Sequence, residues 1–151
     1  MSESTVYIPP ERTARPRGTF IPPLLVIPFL VYNLVAFAVM GGSPAGWSGT
    51  ALSITMVSGQ LWVLTWGDIV LVLGLVCLFV EVVKSTQTGR NSVIEHMLST
   101  LLLVVFLVEF ILVGAAASSV FFLLMIMSVV DVVAGFTISI TGAGRDVTMA
   151  P

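Results

Sequence analysis

Charged residues are scarce in this chain, because only 9% of its 151 residues are Asp, Glu, Lys or Arg while 57% are hydrophobic. A mean hydropathy of +1.09 excludes an ordinary water-soluble domain, whose surface needs many more polar side chains. A net charge of -2 without a run of basic residues also excludes nucleic acid as the main partner. These shortages predict an integral membrane protein whose first partner is the lipid bilayer.

Residues with catalytic or metal-binding chemistry are equally few. The single cysteine, Cys77, can form no internal disulfide, and the single histidine, His96, has no Cys or second His at metal-binding spacing. We interpret Cys77 as a packing residue and His96 as a hydrated helix residue near the headgroups. Ser118 and Ser119 have no nearby base, and no glycine stands in a phosphate-binding context. The sequence predicts a non-enzyme without metal or cofactor.

Long apolar stretches predict an all-α membrane protein, a bundle of four transmembrane helices. Each stretch is close to the roughly 20 residues that cross a ~30 Å hydrocarbon layer. The predicted spans are 21–40, 68–84, 93–113 and 118–140, in a membrane domain of residues 20–141.

The two ends of the chain are predicted to be cytoplasmic tails. Residues 1–19 are rich in proline and arginine and bury too little apolar surface to fold alone, so we expect disorder there. Residues 142–151 form the second tail, since Gly142 and Gly144 are expected to end the fourth helix.

Three positions predict how individual helices begin or bend. Ser92 and Glu95 have the spacing of a capping box before the third span. Asp68 opens the second span, where the helix dipole favours a carboxylate. Pro28 is expected to bend the first span.

The basic residues predict the orientation of the chain in the membrane. They are Arg12, Arg15 and Arg17 before span one, Lys84 and Arg90 between spans two and three, and Arg145 after span four. All six would share one side, which the positive-inside rule makes cytoplasmic, together with both termini. Alternatively, Ala36-Phe37-Ala38 resembles a signal-peptidase site, and cleavage would remove everything before Val39.

Alternating apolar residues predict an external β-hairpin at about residues 51–66, between the first two spans. With Ser58-Gly59 as a two-residue turn, the predicted pairs are Val57 with Gln60, Met56 with Leu61, Thr55 with Trp62, and Ile54 with Val63. One face would carry Leu52, Ile54, Met56, Leu61 and Val63, and the other Ser53, Thr55, Trp62, Leu64 and Trp66. We interpret Trp62 and Trp66 as interface anchors, on a hairpin that caps the bundle or docks a partner.

Acidic side chains inside the spans are the main indication of function. Asp131 lies near the middle of span four, Glu109 in the outer third of span three, and Glu81 one turn from the cytoplasmic end of span two. A charge near a span centre costs on the order of 2.5 to 3.5 kcal/mol on insertion scales, so each must be offset by a partner.

Small and polar residues recur at helical spacing around these acidic groups and predict a shared inward-facing seam. They are Ser128, Asp131, Gly135 and Ser139 on span four, Glu95, Ser99, Leu102, Phe106, Glu109 and Val113 on span three, and Gly67, Gly74 and Glu81 on span two. Asn33 of span one is a fourth polar contributor, because lipid offers no hydrogen bonds.

Three hypotheses account for the acidic groups. In the first, Asp131 and Glu109 are satisfied by Ser128, Asn33 or each other and fix helix register. In the second, they bind Lys or Arg of a partner's membrane helix, so that the protein is a structural or accessory subunit. In the third, Glu81, Asp131 and Glu109 form a proton or cation path, which a homo-oligomer could enlarge. We favour the accessory subunit, with a transporter or channel subunit as the alternative.

Several short motifs resemble those of a group of uncharacterised four-helix bacterial inner-membrane proteins. They are Ser58-Gly59-Gln60-Leu61-Trp62, Trp66-Gly67-Asp68, Phe79-Val80-Glu81 with Lys84, and Val130-Asp131 with Ala134-Gly135. The resemblance would cover roughly residues 20 to 140, and it implies a fold and a bacterial membrane but no activity.

Overall fold

A computed structural model of the protein describes residues 22–86 and 92–148, and within these ranges the fold is mostly helical. The elements are α1 (Val26–Ala38), β1 (Thr50–Thr55), β2 (Leu61–Thr65), α2 (Trp66–Ser85), α3 (Ser92–Leu112) and α4 (Ser119–Thr148). Short 3₁₀ helices occur at Pro44–Ser48 and Gly114–Ala116. The predicted order of four helices, with an antiparallel hairpin between the first two, is confirmed.

Three of these helices are long and apolar enough to cross a membrane. Their apolar stretches are Trp66–Ser85, Ile94–Leu112 and Ser119–Thr141. Each covers roughly 30 Å at 1.5 Å per residue, which matches the hydrocarbon thickness. The chain therefore has the character of a membrane protein.

The first helix is shorter than the predicted span 21–40. α1 has 13 residues, or about 20 Å of helix. It ends where Gly41 adopts φ 58°, a conformation that costs glycine little. Gly42 then donates its N–H to the carbonyl of Ala36 at 2.8 Å, which satisfies one of the last carbonyl groups.

Pro28 lies in the first turn of α1 and is fully buried there. N–H groups in the first turn have no intrahelical acceptor, so the proline ring removes no hydrogen bond. The loss of a hydrogen bond, which is the physical cause of a proline bend, therefore does not occur at Pro28 in α1.

The chain from Leu24 to Trp47, which includes α1, nevertheless runs along most of α2. Near one end, the Leu24 N–H donates to Glu81 Oε2 at 2.8 Å. Near the other, the Trp47 carbonyl would lie 3.1 Å from a Cβ atom added at Gly67. Glu81 and Gly67 are about four turns apart in α2, or roughly 21 Å. We name the two ends of the bundle the Lys84 end and the hairpin end.

α4 lies at the centre of the bundle, packed against α2 and α3 and more lightly against α1. α1 packs mainly on α2, whereas α3 packs on α4. The helices therefore follow each other in the order α1, α2, α4, α3. α1 and α3 face each other across few contacts, and we call this junction the α1–α3 seam.

An aromatic layer fills the bundle on its hairpin side. Phe106 lies 4.8 Å from Phe29 and 5.4 Å from Phe121, measured between ring centroids. Tyr32 stacks on Trp47 at 4.4 Å and donates its hydroxyl to the Ala115 carbonyl at 2.8 Å. This hydrogen bond ties α1 to the turn before α4. We define the layer as Phe29, Tyr32, Phe106 and Phe121.

Short polar side chains cap the starts of α2 and α4. Thr65 and Asp68 form a reciprocal capping box at the start of α2, with the Asp68 carboxylate accepting the Thr65 N–H at 2.8 Å. Ser118 Oγ accepts the Phe121 N–H at 3.1 Å and caps α4. The side chain of Ser92 lies outside the described set, so the capping box predicted with Glu95 stays a prediction.

α4 continues to Thr148, past the predicted end at Gly142 and Gly144. The expectation that these glycines stop the helix was wrong. A glycine inside a helix costs only about 1 kcal/mol relative to alanine, so two of them do not end a helix that is already formed. The predicted tail 142–151 is therefore helical through residue 148, whereas the predicted tail 1–19 lies outside the described residues.

The hairpin exists, but its predicted register was wrong by one residue. Thr55 pairs with Leu61 and Ile54 with Trp62, because the turn contains three residues between Met56 and Gln60. Gly59 has φ 80° and supplies the left-handed residue that such a turn requires.

A one-residue shift exchanges the faces of one strand. Trp62 and Leu64 therefore lie beside Leu52 and Ile54, while the apolar residues of the other face lie beside serine and threonine. Both faces are exposed, and the hairpin contacts mainly the start of α2, into which β2 leads.

Cysteine pairs test this register directly. In a Cys77→Ala background, Thr55→Cys with Leu61→Cys places two Cβ atoms directly opposite each other, about 4.5 Å apart, at the upper end of the disulfide range. We expect oxidation to form a disulfide within the hairpin, measured as a loss of free thiols by intact mass after alkylation. The matched pair Thr55→Cys with Trp62→Cys points to opposite faces and should stay reduced. Faster oxidation of this second pair would contradict the observed register.

Candidate functional site

A polar cluster lies between α2, α3 and α4 at the Lys84 end. We define it by its titratable members, Glu81, Lys84, Glu95, His96 and Asp131. Glu81 and Asp131 are only 2% and 3% exposed, so both carboxyl groups are held inside the protein. Buried charges on this scale persist only when they are paired or neutralised.

The spacing of α2 explains how Glu81 reaches the interior. The buried residues of this helix are Gly67, Val70, Gly74, Cys77 and Glu81, which follow steps of three and four. At Gly74 an added Cβ atom would lie 2.6 Å from Leu124 of α4, so the missing side chain permits the close approach of the two helices.

Glu81 is the best-connected acidic group of the cluster. Its Oε1 atom lies 2.8 Å from Lys84 Nζ, and its Oε2 atom accepts the Leu24 N–H at 2.8 Å. Lys84 also lies 3.6 Å from Glu95 Oε2. One lysine thus links α2 to α3, and one carboxylate links α2 to the start of the first segment.

His96 belongs to this cluster, and its interpretation as a hydrated interfacial residue was wrong. The side chain is 8% exposed and its Nε2 atom lies 2.7 Å from Ser139 Oγ. The imidazole occupies the space over Gly135, where an added Cβ atom would lie 2.5 Å from Nδ1. The signal in the sequence was the Gly135 and Ser139 pair one turn apart, which offers a gap and a hydrogen-bond partner.

Asp131 forms its side-chain hydrogen bond with Ser99 of α3. The hypothesis that Ser128 satisfies it was wrong, because Ser128 Oγ is buried without a hydrogen-bond partner. Asp131 Oδ2 likewise has no hydrogen-bond partner. Glu81, Lys84 and His96 are the titratable neighbours of this carboxyl group.

Glu109 lies apart from the cluster, at the hairpin end of the α1–α3 seam. Asn33 Nδ2 donates to Glu109 Oε2 and to the Phe29 carbonyl, both at 3.2 Å. Glu109 stands in the last turn of α3, where the helix dipole disfavours a negative charge. The amide of Asn33 therefore stabilises the Glu109 carboxylate, which the dipole of α3 destabilises.

A groove of about 460 Å³ opens at this position of the seam. Its lining is apolar except for Asn33 and Glu109: Asn33, Phe37, Val104, Val105, Val108, Glu109, Leu112 and Val113. Several of these apolar side chains are exposed, so the groove faces outward between α1 and α3.

Apolar side chains separate the two sites. Along α3, Leu102 and Phe106 lie between Ser99 and Glu109, and both are buried. Along α4, Phe121 and Leu124 occupy the corresponding levels and are fully buried. The structure brings Glu81 and Asp131 into one cluster and leaves Glu109 outside it.

The remaining predicted site residues lie where helix packing or the hairpin places them. Ser128 and Gly135 are buried on α4, and Ser139 is half-buried beside His96. Trp62 and Trp66 are about half exposed, on β2 and at the first position of α2. Among residues 22–86 and 92–148, no group of three His, Cys, Asp or Glu side chains is placed to hold a metal ion.

Comparison with known proteins gives no family for this chain: no family model, no curated protein and no solved structure matches it. These comparisons therefore do not support the resemblance of its short motifs to four-helix inner-membrane proteins.

Glu81→Gln and Glu95→Gln form a matched pair that tests the cluster. Glu81→Gln removes the charge closest to Lys84 from a buried position, so we expect a loss of about 2 kcal/mol, or roughly 6 °C in the unfolding midpoint. Glu95→Gln weakens a longer and more exposed contact, and should cost about 0.5 kcal/mol or less. Thermal unfolding in mild detergent measures both. Equal losses would contradict the ranking of the two contacts.

Proposed function

We propose that this protein is a small accessory subunit of a bacterial inner-membrane complex, and that it receives a basic membrane helix of its partner in the α1–α3 seam. The observation that carries the proposal is a carboxylate, Glu109, in an apolar groove that no helix of the described chain fills.

Packing supports the seam as the place of contact. α3 packs mainly on α4, and α1 packs on α2 with lighter support from α4. Across the seam, Phe29 contacts Phe106 and Asn33 donates a hydrogen bond to Glu109. A fifth helix laid along the seam would pack on both α1 and α3, as helices in membranes pack to fill space between neighbours.

Charge supports a basic partner. Glu109 meets one amide donor, while its helix terminus and the surrounding lipid both disfavour its charge. Lys or Arg on a partner helix, at the depth of Glu109, would form a charge-assisted hydrogen bond in a medium of low dielectric constant. The pairing would remove two unfavourable charges from lipid at once.

A second copy of this chain does not supply that charge. The six basic residues are Arg12, Arg15, Arg17, Lys84, Arg90 and Arg145. By the predicted topology all of them belong to the end opposite the groove. The occupant we propose is therefore a helix of a different protein, and a homo-oligomer is an outcome that the test can detect.

The proposed orientation places the Lys84 end in the cytoplasm. Leu24 and Ser139 both lie at the level of the polar cluster, so the chain enters and leaves the bundle at one end. Lys84 stands at this same end, and positive residues favour the cytoplasmic side. Both termini are then cytoplasmic, and the hairpin faces the periplasm.

The hairpin offers a second contact for the same partner. Both of its faces carry exposed apolar side chains, and Trp62 and Trp66 are suited to an interface between water and an apolar surface. A two-stranded hairpin is only marginally stable by itself, which favours a role in which it packs on a neighbour.

Conduction, the alternative, has less support. A proton or cation path through Glu81, Asp131 and Glu109 needs polar groups between the cluster and the seam. The aromatic layer with Leu102 and Leu124 fills that interval with buried apolar side chains. An accessory role requires no such path.

Synthetic membrane helices test the seam. Two 21-residue leucine-rich peptides, one with a single Lys a third of the way from its end and one with Leu there, are incubated with the immobilised full-length protein in mild detergent. We expect at least a tenfold preference for the Lys peptide, because a charge pair in the groove is worth about 1.4 kcal/mol or more. Quantitative mass spectrometry of the retained peptide measures the ratio.

Two acid-to-amide variants serve as the controls. Glu109→Gln should reduce the preference to about twofold or less, whereas Asp68→Asn, at the same end of the bundle and able to keep its capping role, should retain it. Equal retention of both peptides by the unmodified protein would defeat the proposal, and so would an unchanged preference in Glu109→Gln. A concentration-dependent dimer that displaces the Lys peptide would identify a second copy as the occupant.

A further inference from the structure

The outer edge of β1 carries backbone groups that no described part of the chain pairs. The Met56 N–H donates to the Gln60 carbonyl at 2.8 Å, so the backbone groups of Met56 point toward β2. These groups alternate in direction along a strand, so those of Ser53 and Thr55 point away from β2. The described sheet ends at β1, and the N–H and C=O groups of both residues have no hydrogen-bond partner among residues 22–86 and 92–148.

This edge lacks the features that usually keep edge strands from pairing. Residues 50–65 contain no Lys, Arg, Asp, Glu or Pro, although natural proteins protect exposed edges with charges, prolines, bulges or a covering element. The irregularity in the pairing of β1, between Thr50 and Leu52, lies before Ser53. β1 packs mainly on β2 and is exposed at every residue except Ala51, whereas β2 also contacts α2. The edge of β1 is therefore the open one.

The sequence of β1 is complementary to itself. When two copies run antiparallel about a twofold axis at Ile54, Ser53 of one copy lies opposite Thr55 of the other. Both pairs of this kind would exchange backbone hydrogen bonds, and their hydroxyl side chains would meet on one face of the sheet. On the other face, Ile54 lies opposite Ile54 of the second copy, and Leu52 lies opposite Met56. Each cross-strand pair thus joins side chains of the same kind, and no like charges meet.

We propose that two copies of this protein pair along β1 and form one four-stranded antiparallel sheet. A twofold contact of this kind is closed, so it stops at a dimer. Four strands also remove the marginal stability of an isolated hairpin. Leu52 and Ile54 lie beside Leu64 and Trp62 in each hairpin, so the dimer would have a continuous apolar face.

The dimer and the proposed partner helix use different parts of the molecule. The groove of the α1–α3 seam and the hairpin share no residue, and pairing along β1 consumes backbone groups rather than the faces of the hairpin. A strand of a foreign protein could bond to the same backbone groups, but only a second copy reproduces the side-chain match on both faces. The occupant of the edge is therefore a second copy of this chain.

Disulfide crosslinking in native membranes tests the contact. In a Cys77→Ala background, Ile54→Cys would place two Cα atoms about 4.5 Å apart across the axis, at the lower end of the disulfide range. Val57→Cys is the control, because Val57 is fully exposed but would lie opposite Ala51 of the second copy. Under mild oxidation we expect Ile54→Cys to form a covalent dimer about tenfold faster or more, since held thiols have a higher effective concentration. Non-reducing gel electrophoresis measures both rates.

A matched pair of proline variants identifies the edge that pairs. Thr55→Pro removes an N–H that points outward from β1, and Val63→Pro removes one that points outward from β2, so both leave the hydrogen bonds within the hairpin intact. Sedimentation of the purified full-length protein in mild detergent gives the dissociation constant of the dimer. Thr55→Pro should raise it about tenfold or more, because each dimer loses two hydrogen bonds, and Val63→Pro should change it by about threefold or less.

Charge exchange at Ile54 separates loss of contact from loss of fold. Ile54→Lys and Ile54→Glu should each be monomeric, because like charges would face each other across the axis. An equal mixture of the two variants should form a mixed dimer, which native mass spectrometry recognises by its mass. A variant that had merely unfolded would not regain the dimer in the mixture.

Four results would overturn the dimer. The first is the absence of a dimer in both membranes and detergent, and the second is a mixture of the charged variants that stays monomeric. The third is a dimer that persists in Thr55→Pro but is lost in Glu109→Gln, which would place the contact in the seam. The fourth is crosslinking of Ile54→Cys to a protein of different mass, which would make a foreign strand the occupant.

Discussion

Hydrocarbon offers no hydrogen bonds, and this constraint organises every polar side chain in the bundle. Glu81 accepts the Leu24 N–H and pairs with Lys84, Tyr32 bonds to the Ala115 carbonyl, and Asn33 donates to Glu109. Each of these contacts joins different segments, so satisfying a polar group also fixes how two parts of the chain meet. Among the described residues, three buried atoms are exceptions without a hydrogen-bond partner: Trp47 Nε1, Ser128 Oγ and Asp131 Oδ2.

Small residues also shape the bundle, since they determine which helices approach each other closely. Gly74 lets α2 reach α4, and Gly135 makes room for the imidazole of His96. α3 packs on α4 but hardly on α1 or α2, and the α1–α3 seam stays open as a result. The proposed docking groove thus follows from the same packing that assembles the polar cluster.

Strong local signals in the sequence predicted their structural elements correctly. Continuous apolar runs gave the long helices, alternation gave a hairpin, and Asp68 stands at the start of α2 as expected. The predicted register was wrong because one local signal fits two different turns. Ser58-Gly59 fits a two-residue turn and also the end of a three-residue turn, and only the pairing of Met56 with Gln60 distinguishes them.

Composition and periodicity alone determined that this chain belongs in a membrane, that its helices bury small and acidic faces, and where the hairpin lies. These properties follow from transfer free energy and helical spacing, which depend on neighbours within a few turns. Only the tertiary structure decided that His96 enters the polar cluster, that Ser99 rather than Ser128 bonds to Asp131, and that Glu109 stands apart with Asn33. The partners of His96, Asp131 and Glu109 lie on another helix, and their identity depends on the relative rotation and depth of two helices, which no single segment encodes.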